Sequence, residues 1–152
     1  MKKYVFPVIT RLMIGSVLSF IFMSSYDGSK SIAMAKNVET VYYIQRGVYS
    51  SKESMEDNMR QFEHYIYNVD NNMYYTYIGV SKNIDNAKKI SKYYQKQDFD
   101  TFIKEKTTDN KNFLVALGQY DQILEKTSDD KIIKTICNQV LSQYEELINN
   151  EN

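Results

Sequence analysis

Tyr42-Tyr43-Ile44-Gln45-Arg46-Gly47-Val48-Tyr49-Ser50-Ser51 alternates side chains as a strand does, then runs into a pair of serines. Alternation separates Tyr43, Gln45, Gly47 and Tyr49 from Tyr42, Ile44, Arg46 and Val48. Ser50 and Glu53 stand at capping-box spacing, so a helix is expected to begin there. Met55, Met59 and Phe62 form its apolar stripe. A second stretch, Tyr74-Tyr75-Thr76-Tyr77-Ile78-Gly79-Val80-Ser81, repeats the plan of aromatic strand, glycine and serine-led helix.

The two copies frame the rest. His64 to Val69 is expected to be a second strand. Asp70-Asn71-Asn72 is a turn, because both residue types tolerate left-handed backbone. Met73 to Val80 is then the third strand and closes a hairpin. The next helix carries Ile84, Ala87, Ile90 and Tyr94 on one side. Asp98 to Lys106 is the fourth strand. The order β-α-β-β-α-β is the split βαβ layout, also seen in ferredoxin-like and RNA-recognition domains. It predicts an α+β fold with one antiparallel sheet and two helices on one face. Residues 107–152 add a helical hairpin, with one stripe of Phe113, Leu114, Leu117, Tyr120 and Leu124. The other is Ile133, Ile136, Val140, Tyr144 and Leu147. Thr127 to Asp130 break and recap the chain between them. Such a pair packs antiparallel and is expected to cover an edge or face of the sheet.

Composition narrows the function classes. Of 152 residues, 19 are basic and 19 acidic. Four basic residues (Lys2, Lys3, Arg11, Lys30) and one acidic residue (Asp27) fall in 1–35, leaving 15 basic and 18 acidic downstream. That acidic balance argues against a nucleic-acid partner, which needs a clustered basic surface. It also opposes an RNA-binding sheet, which would stack bases on strand aromatics. Cys137 is a single cysteine, so no internal disulfide is available. It reads as a small core residue. His64 has no second histidine or paired cysteines beside it for zinc. Glu53, Glu56 and Asp57 lie on a solvated helix face, and no phosphate loop or nucleophile elbow occurs. The chain is expected to be no enzyme, and to use no cofactor or metal.

Residues 1–25 are basic, then apolar. The uncharged run Leu12–Ser25 has 14 residues, against about 20 for a bilayer span. Counting back to Tyr4 gives 22, with Arg11 inside. An arginine near a helix end can snorkel. The segment is an apolar signal-anchor helix, or a signal peptide cleaved near Ala33-Met34-Ala35. The anchor is preferred, with Lys2 and Lys3 holding that end inside. Residues 26–40 are a polar linker. The protein is then a single-pass cell-membrane protein with an extracytoplasmic body, or a secreted one.

Residues 41–106 resemble a SPOR domain, the sporulation-related repeat that binds bacterial peptidoglycan. The family's first strand is similar to Tyr42–Ser50, and its third to Tyr74–Val80 with Gly79 as the glycine. The resemblance implies the β-α-β-β-α-β fold and non-catalytic recognition of glycan strands stripped of stem peptides. It also implies a role in cell division or sporulation. Three features depart from the family. Arg46 stands where an apolar residue is preferred, Tyr75 where an arginine is common, and the helical hairpin is additional. On this reading the ligand-binding residues are Tyr43, Gln45, Tyr75 and Tyr77. The glutamine amide offers both donor and acceptor to sugar groups, and tyrosines pair an apolar ring with a hydroxyl. Without the resemblance, Gln45 is a solvated strand residue and the tyrosines are ordinary cross-strand pairs. Gly47 and Gly79 read first as backbone geometry. The helical hairpin offers a second reading, an adaptor docking a division or sporulation protein.

Overall fold

A computed structural model describes residues 38–149. The expected amino-terminal helix, membrane segment and most of the linker lie outside them. Eight elements follow in order: β1 (Glu39–Tyr49), α1 (Lys52–Met59), β2 (Ile66–Asp70), β3 (Met73–Ser81), α2 (Ile84–Gln95), β4 (Phe102–Thr108), α3 (Lys111–Lys126) and α4 (Asp130–Asn149). The four strands form one antiparallel sheet in the order β2-β3-β1-β4. This is an α+β chain in the split βαβ order.

Local chemistry sets most boundaries. Helix α1 is capped by Ser51, one residue later than expected, whose hydroxyl accepts from the Ser54 N–H at 3.1 Å. Asn71 and Asn72 take φ of 49° and 60°, the left-handed pair that turns β2 into β3. Asn83 caps α2 by accepting from the Asp85 and Asn86 N–H groups. Asn110 caps α3 through Phe113 N–H at 2.9 Å. Strand β4 begins at Phe102, not at Asp98. Asp98 has φ 63° where α2 ends, and the Phe99 ring joins the helix layer 4.9 Å from Phe62. Strand β2 likewise starts at Ile66, leaving His64 in the loop beside Glu63.

One face of the sheet carries α1 and α2. Ile44, Met55, Met59, Ala87 and Ile90 are fully buried there. Each large side chain so buried contributes roughly 1.5–3 kcal/mol. Gly79 makes room for α2, since a Cβ there would lie 2.9 Å from Ile90 Cγ2. The pairing of β1 with β3 shifts between Ile44 and Gly47. That irregularity changes which face the end of β1 presents. Tyr49 reaches Met59 Sδ on α1 at 3.9 Å, so it belongs to the helix face rather than sharing a face with Tyr43.

Arg46 sits at the same irregularity. Its guanidinium lies 5.4 Å from the Phe99 ring centroid and bonds the Asp100 carbonyl at 3.4 Å, while its buried Nε has no acceptor. Its partners are an aromatic face and a backbone carbonyl.

Pairing of β2 with β3 ends at Ile66 and Tyr77, so β3 continues through Ile78–Ser81 without a β2 neighbour. The helical hairpin packs against β3 and α2. Phe113, Leu114, Leu117, Tyr120 and Leu124 of α3, and Ile133, Ile136, Cys137 and Val140 of α4, are buried. The side chain of Leu147 falls outside the described set.

Candidate functional site

Cross-strand partners share a face. Lys104 pairs with Tyr43, Lys106 with Val41 and Phe102 with Gln45 across β4 and β1. Tyr75 pairs with Val48 on β1 and with Asn68 on β2. Lys106 extends over the sheet until its ammonium lies 4.9 Å from the Tyr43 ring centroid and 4.5 Å from that of Tyr77. It also reaches Asn68 Oδ1 at 3.4 Å. These contacts place Tyr43, Tyr77, Tyr75, Asn68 and Lys106 on the face opposite α1 and α2.

That face is half covered. Tyr43 and Tyr77 pack edge to face at 5.4 Å, and Tyr144 of α4 packs on Tyr43 at 6.2 Å. The Tyr43 and Tyr144 hydroxyls are hydrogen-bonded at 2.9 Å. Phe113 closes the group against Tyr144 at 5.4 Å. Tyr43, Gln45 and Tyr77 are only 6%, 6% and 4% exposed. Of the four expected ligand residues, Tyr75 alone is more than marginally exposed, at an intermediate level. The rings that would stack on sugar are instead in contact with each other, with Lys106 and with the hairpin. What stays open is a strip of Val48, Tyr75, Asn68, Phe102 and Lys104.

The electrostatics follow burial. Desolvation raises the Tyr43 phenol far above its ordinary value, and the bond with Tyr144 adds to it. Burial also raises Tyr77 and lowers the Lys106 ammonium below the ordinary lysine value. All three shifts have one cause, loss of water around the group, and favour the neutral forms.

The hairpin is fastened at a second point. Asp121 of α3, 3% exposed, accepts from Ser81 Oγ, from Lys82 N–H at 2.9 Å and from Asn86 Nδ2 at 3.0 Å. Burial raises its carboxyl above the ordinary value, and these donors partly offset the rise. Lys89 of α2 bonds the carbonyls of Leu124 and Thr127 at the end of α3. A cavity of about 210 Å³ beside it is lined by Lys89, Lys92, Lys96, Tyr93 and Ser128. Lys89 is committed to those carbonyls and Lys96 to Asp130 at 3.4 Å. Cys137 is buried, which pushes its thiol up to about 12.

Sequence reasoning did not single out Lys106, Asn68 or Asp121. The phase of Phe102, Lys104 and Lys106 was a signal for the first, since it puts Lys106 opposite Val41. Among the described residues, no group of three His, Cys, Asp or Glu side chains is placed to hold a metal ion. Nor is any helix among them long and apolar enough to cross a membrane. No family model, no curated protein and no solved structure matches the chain.

Proposed function

We propose that the chain is a non-catalytic binding module for peptidoglycan, taking glycan strands stripped of stem peptides. It is held outside the cytoplasm by its amino-terminal apolar segment and acts in cell division or sporulation. The observation that supports this is the open half of the aromatic sheet face. There, Tyr75 stands partly exposed between Val48 and Asn68, with Phe102 and Lys104 on the same face. A ring, an amide and an ammonium offer stacking and hydrogen bonds to sugar. The burial of Tyr43, Gln45 and Tyr77 moves the contact surface toward Tyr75. The resemblance of residues 41–106 to SPOR domains supplies the ligand class. The test is sedimentation of the full chain with amidase-treated and untreated sacculi, beside a Tyr75→Ala variant. Preferential binding to treated sacculi, lost in the variant, supports the reading. Equal or absent binding overturns it.

A second reading, an adaptor that docks a division or sporulation protein through the helical hairpin, is favoured by the seal of Tyr144 over Tyr43. It is also favoured by exposed Val115 and Ile132 on the hairpin. Removing residues 107–152 would strip a large part of the core. Val115→Glu with Ile132→Glu is the better discriminator. The adaptor reading predicts lost localisation, whereas the glycan reading predicts that localisation and sacculus binding are unchanged.

A further inference from the structure

The sheet has two edges, and their chemistry differs. β4 exposes Lys104, Glu105 and Lys106 along its length. Charged residues on an edge strand block pairing with another chain. β2, the other edge, carries Ile66, Tyr67, Asn68 and Val69 before its first charge at Asp70. Tyr67 and Val69 are 45% and 53% exposed. Among the described residues, the only element in substantial contact with β2 is β3. Tyr67 rests on Tyr74 at 6.0 Å, and Val69 pairs with the same Tyr74. The apolar layer on that side of the edge is unfinished.

We propose that β2 pairs with β2 of a second copy of this chain, antiparallel about a two-fold axis through Asn68, making one continuous eight-stranded sheet. An axis normal to the sheet keeps each face on its own side, so paired residues must have the same phase. With Asn68 opposite its own copy, Tyr67 faces Val69 of the second copy and Ile66 faces Asp70. This register uses all five residues of β2. It sets an aromatic ring beside a β-branched residue twice, which is a favourable cross-strand pair. No like charges meet. The same operation on β4 fails in every central register. About Glu105 it opposes the two Glu105 residues and sets Lys104 against Lys106. About Lys104 or Lys106 it opposes a lysine to itself.

Five residues of edge are few beside the roughly 20–30 residues a side of a standard interface. The dimer is therefore reversible and depends on concentration. It requires no glycan and stands or falls separately from the binding strip.

Directly opposed residues in an antiparallel pair have Cα atoms about 4.5–5.5 Å apart, within the range a disulfide spans. The full chain carrying Asn68→Cys, mildly oxidised and run without reductant, is expected to give a covalent dimer. Glu105→Cys on β4 is the control and is expected to remain monomeric. Buried Cys137 does not compete. Adding Val69→Lys to Asn68→Cys is expected to reduce the cross-linked fraction severalfold while leaving the melting temperature within a few degrees. Absence of dimer overturns the proposal. Equal cross-linking at Asn68→Cys and Glu105→Cys also overturns it. So does growth of wild-type mass beyond two copies, which signals open-ended β2–β4 pairing.

Discussion

The hydroxyls of Tyr43 in β1 and Tyr144 in α4 meet at 2.9 Å, with their rings edge to face at 6.2 Å. One contact joins the central strand to the last helix across 101 residues of chain. It decides how much of the sheet a ligand can reach.

Tyr144→Phe deletes one hydroxyl and keeps the ring. The Tyr43 hydroxyl then loses this partner, a loss of about 1 kcal/mol. Tyr144→Ala also removes the ring packed on Phe113 and Tyr43, so a loss of about 3 kcal/mol is expected. Urea denaturation measures both. If the glycan reading is right, Tyr144→Ala also binds treated sacculi more strongly, because it uncovers Tyr43. An adaptor gains nothing there.

The two strand glycines are expected to differ. A methyl group at Gly79 meets Ile90 Cγ2 at 2.9 Å and Ile44 Cδ1 at 3.4 Å, inside the packed layer. Gly79→Ala is expected to cost about 1–3 kcal/mol through overpacking. At Gly47 the obstruction is the far end of Tyr49, at 2.6 Å from its hydroxyl. That ring can swing by giving up its 3.9 Å contact with Met59 Sδ. Gly47→Ala is therefore expected to cost less. Parallel thermal melts compare them, and the reverse order would mean that the Tyr49 ring is fixed.

The β-α-β-β-α-β order was legible because short-range chemistry agrees with it. The Asn71-Asn72 turn and the apolar stripes of α3 and α4 each depend on neighbours in sequence, whereas the cap of α2 falls on Asn83 rather than on the expected serine. Tyr49 was misplaced because a shifted register between Ile44 and Gly47 changes strand phase without a composition signal. The start of β4 was misplaced because Phe99 satisfies strand alternation and a helix-layer cluster equally well. The burial of Tyr43, Gln45 and Tyr77 was not legible at all. It depends on where the hairpin docks, which the apolar stripes of α3 and α4 do not specify.

Arg46 tests whether a partly buried guanidinium helps or hurts here. It gains an aromatic face and one carbonyl but leaves Nε without an acceptor. Arg46→Met keeps the aliphatic packing on Phe99 and removes the stranded donor. Its stability is expected to equal or exceed wild type, since apolar replacement of a partly buried, imperfectly satisfied charge is often neutral or favourable. Arg46→Ala loses the packing too and is expected to fall by about 1 kcal/mol. A methionine variant clearly weaker than the alanine one would contradict this.

Asp121 makes stability respond to pH in a direction opposite to the usual salt-bridged aspartate. Burial holds its folded carboxyl above the ordinary aspartate value, which the unfolded chain retains. Between the two values the folded state keeps a proton that the unfolded state has lost. The stabilising contribution is therefore complete below the ordinary value and is lost as pH rises through the folded one. Asp121→Asn removes that titration. It also sets an amide donor against Lys82 N–H or Asn86 Nδ2, costing about 1–3 kcal/mol. Urea midpoints of wild type and variant, measured from about pH 4 to pH 7, cancel the carboxylates they share. The deficit of the variant should widen as pH falls. A deficit that narrows instead would mean that Ser81, Lys82 and Asn86 outweigh burial and that the carboxylate form is the one the fold prefers.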